Sequence, residues 1–228
     1  MLAVVAIIVI IISMLLPAIG KARDTTKVIV CLSNLHQLSL GWRAYATDNT
    51  GIVMGAHTDR NNYDWVDNDA PPVAPTNELE INIKKGRMFP YVNELSIYKC
   101  PVDPRRDYLR TYSFNNFVGG AGWNVNARVR TTALPRPSQT MVMIEEPDPR
   151  GYNWGSWVIY PKNHPNAASW IDWAPAWHND GCTLSFADGR AEHWQWRDPR
   201  TRAIASFFET HPNSPDLQRL QEVFNPGD

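Results

Sequence analysis

Five residues with chemical potential crowd into one stretch near the C-terminus: His178, Asn179, Asp180, Asp188 and His193. Histidines beside aspartates are the residue types of a metal-dependent hydrolase, and Asn179, Asp180 and Asp188 offer the hard oxygens that Ca2+ takes. The spacing speaks against a hydrolase. There is no nucleophile elbow, no HExxH and no paired-carboxylate motif, and Asp188 sits before Gly189, where a turn wants Asp for its own backbone. The carboxylates are also too few and too irregular for an EF-hand loop. The reading is therefore no enzyme and no cofactor, with Ca2+ at Asn179, Asp180 and Asp188 as the one metal set offered. His178 reads as a hydrogen-bonded pin of a hairpin. Glu145, Glu146 and Asp148 could serve as acid–base groups or cation ligands, but they read as the solvated exit of a strand. Cys31, Cys100 and Cys182 show neither CxxC pairing nor zinc-ligand spacing. One pair could close a disulfide in an oxidising setting, and the residues alone do not say which.

Other candidates are weaker. Gly119-Gly120-Ala121-Gly122 neither follows a strand nor opens a helix with GxGxxG spacing, so it reads as a flexible loop and not a phosphate cradle. Trp154, Trp157, Trp170, Trp173 and Trp177 could stack on sugars if exposed, or fill a core if buried. A net charge of −1 with 20% charged residues excludes a nucleic-acid binder held by phosphate neutralisation. Ten Trp and eighteen Pro in 228 residues point to a loop-rich domain pinned by aromatics.

The elements that must position these groups begin with residues 1–20, which carry no charge before Lys21. As a helix this run spans about 30 Å, the thickness of a bilayer core. It reads as a retained membrane anchor in preference to a cleaved signal, because no basic residue precedes it and it is longer than a signal core. Lys21, Arg23 and Lys27 directly after it conflict with an exported C-terminal domain under the positive-inside rule. Residues 21–50 continue the helix: Val28, Cys31, Leu35, Leu38, Trp42 and Tyr45 form one apolar stripe, opposite Lys27, Ser33, Asn34, Gln37 and Arg43. Pro17 would kink this rod, and Asp48-Asn-Thr-Gly51 ends it.

Residues 51–228 form the head. From Ile52 to Pro90 the text is polar and irregular, with turn signals at Asn61-Asn62, Asn68-Asp69 and Pro71-Pro72. Short strands are expected at Ser96–Cys100, within Leu109–Val118 and at Thr140–Glu145. Alternating runs Cys182–Ala187 and Arg190–Trp196 around Asp188-Gly189 predict a hairpin, spanning 178–196 with its flank, on a two-residue type I′ turn. Ser214-Pro215 caps a last short helix with Leu217, Leu220 and Phe224 as its apolar set. The fold class is α+β: one long N-terminal helix against a small antiparallel sheet.

The N-terminal run resembles the prepilin-type methylation segment of type IV pilins and type II secretion pseudopilins. The chain is more closely similar to the pilin-like family of planctomycete and related bacteria, whose C-terminal signature is His, nine residues, then Asp-Gly. His178 and Asp188-Gly189 fit that spacing. So do Cys31-Leu-Ser-Asn-Leu-His-Gln-Leu38, Tyr45-Ala-Thr-Asp-Asn-Thr-Gly51, Cys100-Pro-Val-Asp-Pro104, Arg110-Thr-Tyr-Ser-Phe-Asn115 and Asp198-Pro-Arg-Thr201. The resemblance implies a pilin-like fold and a non-catalytic subunit of a type II secretion or type IV pilus-like assembly. Its implied place is the bacterial inner membrane, single-pass, with an extracytoplasmic (periplasmic) C-terminal domain that reaches the cell surface on assembly. Its implied partners are like subunits through the N-terminal helix, the inner membrane, and the secretion or pilus machinery. The family's pattern also implies a Cys31–Cys100 disulfide. With Pro17 aligned to the anchor's proline, Met1 falls near the sixth mature position. Leader, cleavage site and the glutamate at the fifth mature position then lie upstream, and an upstream start is the expectation. An anchored extracytoplasmic glycan-binding or other interaction module is the alternative function.

Overall fold

The computed structural model describes residues 2–57, 64–67, 76–120, 127–147 and 156–227, and for residues 2, 3, 6, 7, 9, 76 and 77 the backbone alone. The turn signals at Asn61-Asn62, Asn68-Asp69 and Pro71-Pro72, together with Ala121-Gly122, Asp148 and Trp154, lie outside the described residues.

One helix, α1 (Leu2–Asp48), runs unbroken through Pro17. The stripe read from the sequence is the face it buries: Cys31, Leu35 and Leu38 are fully buried, with Trp42 and Tyr45 close behind. Asn34, assigned to the polar face, is buried as well, because its Nδ2 donates to the Lys99 carbonyl at 3.2 Å. Among the described side chains, none in the first half of α1 is buried in this way. Val4, Val5, Ile8, Ile10, Ile11, Ile12, Met14, Leu15, Leu16 and Ile19 are all exposed.

Among the described residues no helix is long and apolar enough to cross a membrane. The single-pass inner-membrane placement expected from residues 1–20 is corrected accordingly. The unbroken run of described side chains starts at Ile10, and the ~18 residues a span needs, counted from there, take in Lys21, Arg23, Asp24 and Lys27.

The head is built on a five-stranded sheet, β1 (Tyr112–Asn115), β2 (Met141–Glu145), β3 (Ser156–Trp157), β4 (Gly181–Phe186) and β5 (Ala191–Gln195), in the order β3-β1-β2-β4-β5. It is mixed and not purely antiparallel: β1 pairs β3 in parallel, and the other neighbours are antiparallel. β1, β2 and β4 are buried along their whole length, and in β2 this goes with the unbroken apolar run Met141–Ile144. The second half of α1 lies across β4 and β5.

The hairpin β4–β5 forms where expected but on a different turn. Ser185 pairs Ala191, and Phe186 N donates to Arg190 O, so Ala187, Asp188 and Gly189 make a three-residue loop. Gly189 N donates back to Phe186 O at 2.9 Å, and only Gly189 is left-handed, at φ +95°. This is a type I turn closed by a glycine bulge, which asks positive φ of one residue, whereas type I′ asks it of two.

Three other expectations change. Ser96–Tyr98 is a 3-10 turn and not a strand, since it must bury the adjacent side chains Ile97 and Tyr98 together. The irregular region holds α2 (Thr76–Lys85) and the one-turn α3 (Phe89–Val92). α2 buries only Ile83 among its described side chains and leans on Glu78 in its first turn, Lys84 and Lys85 in its last, and a Glu80–Lys84 pair. So weak an apolar period left no signal. Gly119 is not a flexible loop residue: at φ +78° a Cβ there would lie 2.2 Å from the Met54 carbonyl oxygen. The last helix, α4 (Pro215–Phe224), is as expected, with Ser214 Oγ accepting from Leu217 N.

Candidate functional site: a buried cysteine, histidine and glutamate cluster

Four side chains from four separate segments meet beneath α1: Cys31 of α1, Cys100 after the 3-10 turn, Glu145 at the end of β2, and His178 before β4. Each is 2% exposed or less. The Cys31 and Cys100 sulfurs, both free thiols, lie 2.6 Å apart. His178 Nε2 stands 3.2 Å from Cys100 Sγ and 2.9 Å from Glu145 Oε1. The second carboxylate oxygen of Glu145 accepts from Thr183 N at 2.7 Å.

Local structure sets each of these groups. Cys31 is on the buried stripe of the helix. Cys100 is held by Thr111, whose Oγ1 accepts from Cys100 N at 3.1 Å and donates to Asp103 Oδ2 at 2.6 Å; Asp103 in turn pairs Arg105. Glu145 pairs Tyr112 across the β1–β2 register. His178 is fixed through its backbone: its N–H donates to Gly181 O at 3.1 Å, and its carbonyl oxygen faces His193 Nε2 at 2.7 Å. The next two residues, Asn179 and Asp180, both turn through positive φ to enter β4.

The electrostatics follow from burial and pairing. Burial alone would lower the His178 imidazole. The hydrogen bonds to Cys100 and Glu145 and the Glu145 charge outweigh it and raise His178 to about 10. Burial pushes the Cys100 thiol far above its usual range, with Cys31 adding to the rise and His178 opposing it. Cys182 and Tyr112 are likewise raised, chiefly by burial.

A folded value raised to about 10 from 6.5 makes protonated His178 a stabilising group. Its contribution is complete below pH 6.5 and is lost as pH climbs through 10. The Cys100 thiol, whose folded value is raised as well, adds a loss of the same sign only above its ordinary 9.0. The urea midpoint of the reduced chain is therefore expected to fall steadily between pH 6.5 and 9, and to stay flat over that interval in His178→Gln. A flat wild-type profile would contradict the raised imidazole.

The sequence-expected sites fare unevenly. His178 and the Asp188-Gly189 signature are not one site. His178 is in the buried cluster, whereas the turn docks on α1, with His36 Nδ1 2.7 Å from Gly189 O and Arg43 Nη1 donating to Asp188 O at 2.6 Å. Asp180 and Asp188 flank β4 at opposite ends, about 20 Å apart at strand rise, so one Ca2+ does not bridge Asn179, Asp180 and Asp188. Asp180 instead pairs Arg202 at 2.6 Å. Of the hydrolase set His178, Asp180, Asp188 and His193, Asp188 is set apart for the same reason, while the His178 and His193 ring centroids stay 6.4 Å apart. Glu145 and Glu146 are not a solvated strand exit: both are buried, and Glu146 Oε2 accepts from Ser113 Oγ. Trp157, Trp170 and Trp173 are buried in the core and Trp177 is half-buried, so they present no sugar-stacking platform.

Glu145 could have been suspected from its place at the end of an unbroken apolar strand. His36 and Arg43 carried no signal, because their partners are backbone carbonyls of a distant turn. Comparison of the chain with protein-family models, with curated proteins and with solved structures gives no match.

Proposed function

We propose that the protein is a non-catalytic, pilin-like structural subunit that assembles with further copies of itself through the first half of α1, in a type II secretion-like or type IV pilus-like fibre. The observation that carries this reading is the half-docked helix. Its second half is laid on the head, while its first half exposes Val4, Val5, Ile8, Ile10, Ile11, Ile12, Met14, Leu15, Leu16 and Ile19. These residues circle the helix and do not form a stripe. A helix that is apolar all round is stable in water only when surrounded. A single partner helix would cover one seam, whereas a bundle of like helices covers every side. The head then sets the spacing between subunits and meets the assembly machinery. The buried cluster fits a structural role too, since its polar atoms are turned on one another and away from solvent.

The test is assembly of the full chain, followed by sedimentation and electron microscopy. Wild type is expected to form fibres with a regular axial repeat. Ile11→Asp with Leu15→Asp is expected to give monomers whose near-UV circular dichroism matches wild type, because neither residue touches the head. Amorphous aggregates without a repeat, or a wild-type chain that stays monomeric, would overturn the reading.

A further inference from the structure

The cluster beneath α1 has a chemistry that fibre assembly does not use. Cys31 and Cys100 stand 69 positions apart in sequence, and their sulfurs lie 2.6 Å apart, well inside the ~3.5–4.0 Å of ordinary non-bonded contact. One nitrogen, His178 Nε2, faces both the Cys100 sulfur and the Glu145 carboxylate. We propose that this cluster is a self-activating cross-linking site, in which His178 ionises Cys100 and the Cys31–Cys100 disulfide locks α1 onto the head.

The steps balance. With the site still open, His178 is already the imidazolium that Glu145 and Cys100 favour, and the Cys100 thiol beside it gives its proton to water, leaving a thiolate–imidazolium pair. The Cys100 thiolate attacks one sulfur of a disulfide oxidant, RSSR. A Cys100–SR bond forms, the oxidant's S–S bond breaks, and RS− leaves, taking back from water the proton that Cys100 gave up, as RSH. Docking of α1 brings Cys31 to the mixed disulfide. Cys31 attacks Cys100 Sγ and its proton passes to the departing RS−, closing the Cys31–Cys100 bond and releasing the second RSH. Two thiols and RSSR become one protein disulfide and two RSH, with two electrons passing to the oxidant.

Burial explains why the imidazolium is needed and when it acts. The thiolate is the nucleophile, and the buried environment of Cys100 strongly disfavours it. Both sulfurs are wholly enclosed once α1 is docked, so the oxidant must arrive beforehand and a reductant is shut out afterwards. His178 touches the reacting sulfur and is the catalytic group of this step; Glu145 is a positioning residue. Cys182 is outside the cluster and keeps its thiol.

The same four residue types suit zinc. Tetrahedral zinc, however, would hold its two sulfurs about 3.8 Å apart, and a metal would have to prise this pair open.

The experiment refolds the reduced full chain into glutathione disulfide and maps peptides without reductant. The expected product is a single Cys31–Cys100 cross-link with Cys182 free. Two free thiols at 31 and 100, a cross-link through Cys182, or one equivalent of Zn2+ retained on both thiolates would each overturn the proposal. For the role of His178, cross-linking is followed from pH 6 to 9. Wild type is expected to stay nearly flat. His178→Gln is expected to be roughly ten- to a hundredfold slower at pH 7 and to recover by about tenfold per pH unit. Glu145→Gln should fall between them. A wild-type rate that already rises tenfold per pH unit would show that His178 does not hold Cys100 ionised, without appeal to any variant.

Discussion

Glu145→Ala is expected to cost about 3–5 kcal/mol of unfolding free energy, the usual toll for removing one partner of a buried ionic pair. The side chain is fully buried, and both of its oxygens are used, one against His178 Nε2 at 2.9 Å and one by Thr183 N at 2.7 Å. Truncation leaves an imidazolium and a backbone N–H of a central strand without acceptors, in a place water does not reach. Glu145→Gln keeps the size and the acceptor for Thr183, so it should lose distinctly less. Urea unfolding of the reduced chain at pH 7 measures both. The double variant Glu145→Ala with His178→Ala should fall short of the sum of its parts by about 0.5–3 kcal/mol, because the second change removes the group the first one stranded. Additive losses would mean that the two side chains do not act as a pair.

Trp65→Ala is expected to cost a similar ~3–5 kcal/mol, for a different reason. Trp65 is fully buried, stacked on Tyr98 with centroids 6.0 Å apart, edge-on to Phe114 at 4.9 Å, and covered by the Arg110 guanidinium at 4.9 Å. The loss combines the indole's transfer out of water with the cavity that those three neighbours cannot close. Trp65→Phe should be far milder. The buried indole Nε1 has no hydrogen-bond partner, so its deletion relieves an unmet donor while the ring stays. A Phe variant as unstable as the Ala variant would show that shape, and not burial of apolar surface, dominates there.

These two residues also mark how far the sequence could be read. Cys31, Leu35, Leu38, Trp42 and Tyr45 announced the buried face of α1, since one helical period is a local property of the chain. Thr140–Glu145, the Asp188-Gly189 hairpin and the Ser214-Pro215 cap were legible on the same grounds. Trp65 was silent: it sits in a polar, irregular segment and becomes a core residue only when Tyr98, Phe114 and Arg110 arrive from elsewhere. α2 was silent because a single buried Ile83 makes no period.

By itself, then, the sequence determined the long helix and its buried stripe, most strand positions and the last cap, all written within a few residues of one another. Only the tertiary structure decided the parallel β1–β3 pair, the bulged turn at Gly189 and the burial of Glu145. It alone brought Cys31, Cys100, Glu145 and His178 together. Those four are joined across separations of 69, 78 and 33 positions. No local propensity encodes such distances; they are set by which faces of α1 and the sheet must leave water together.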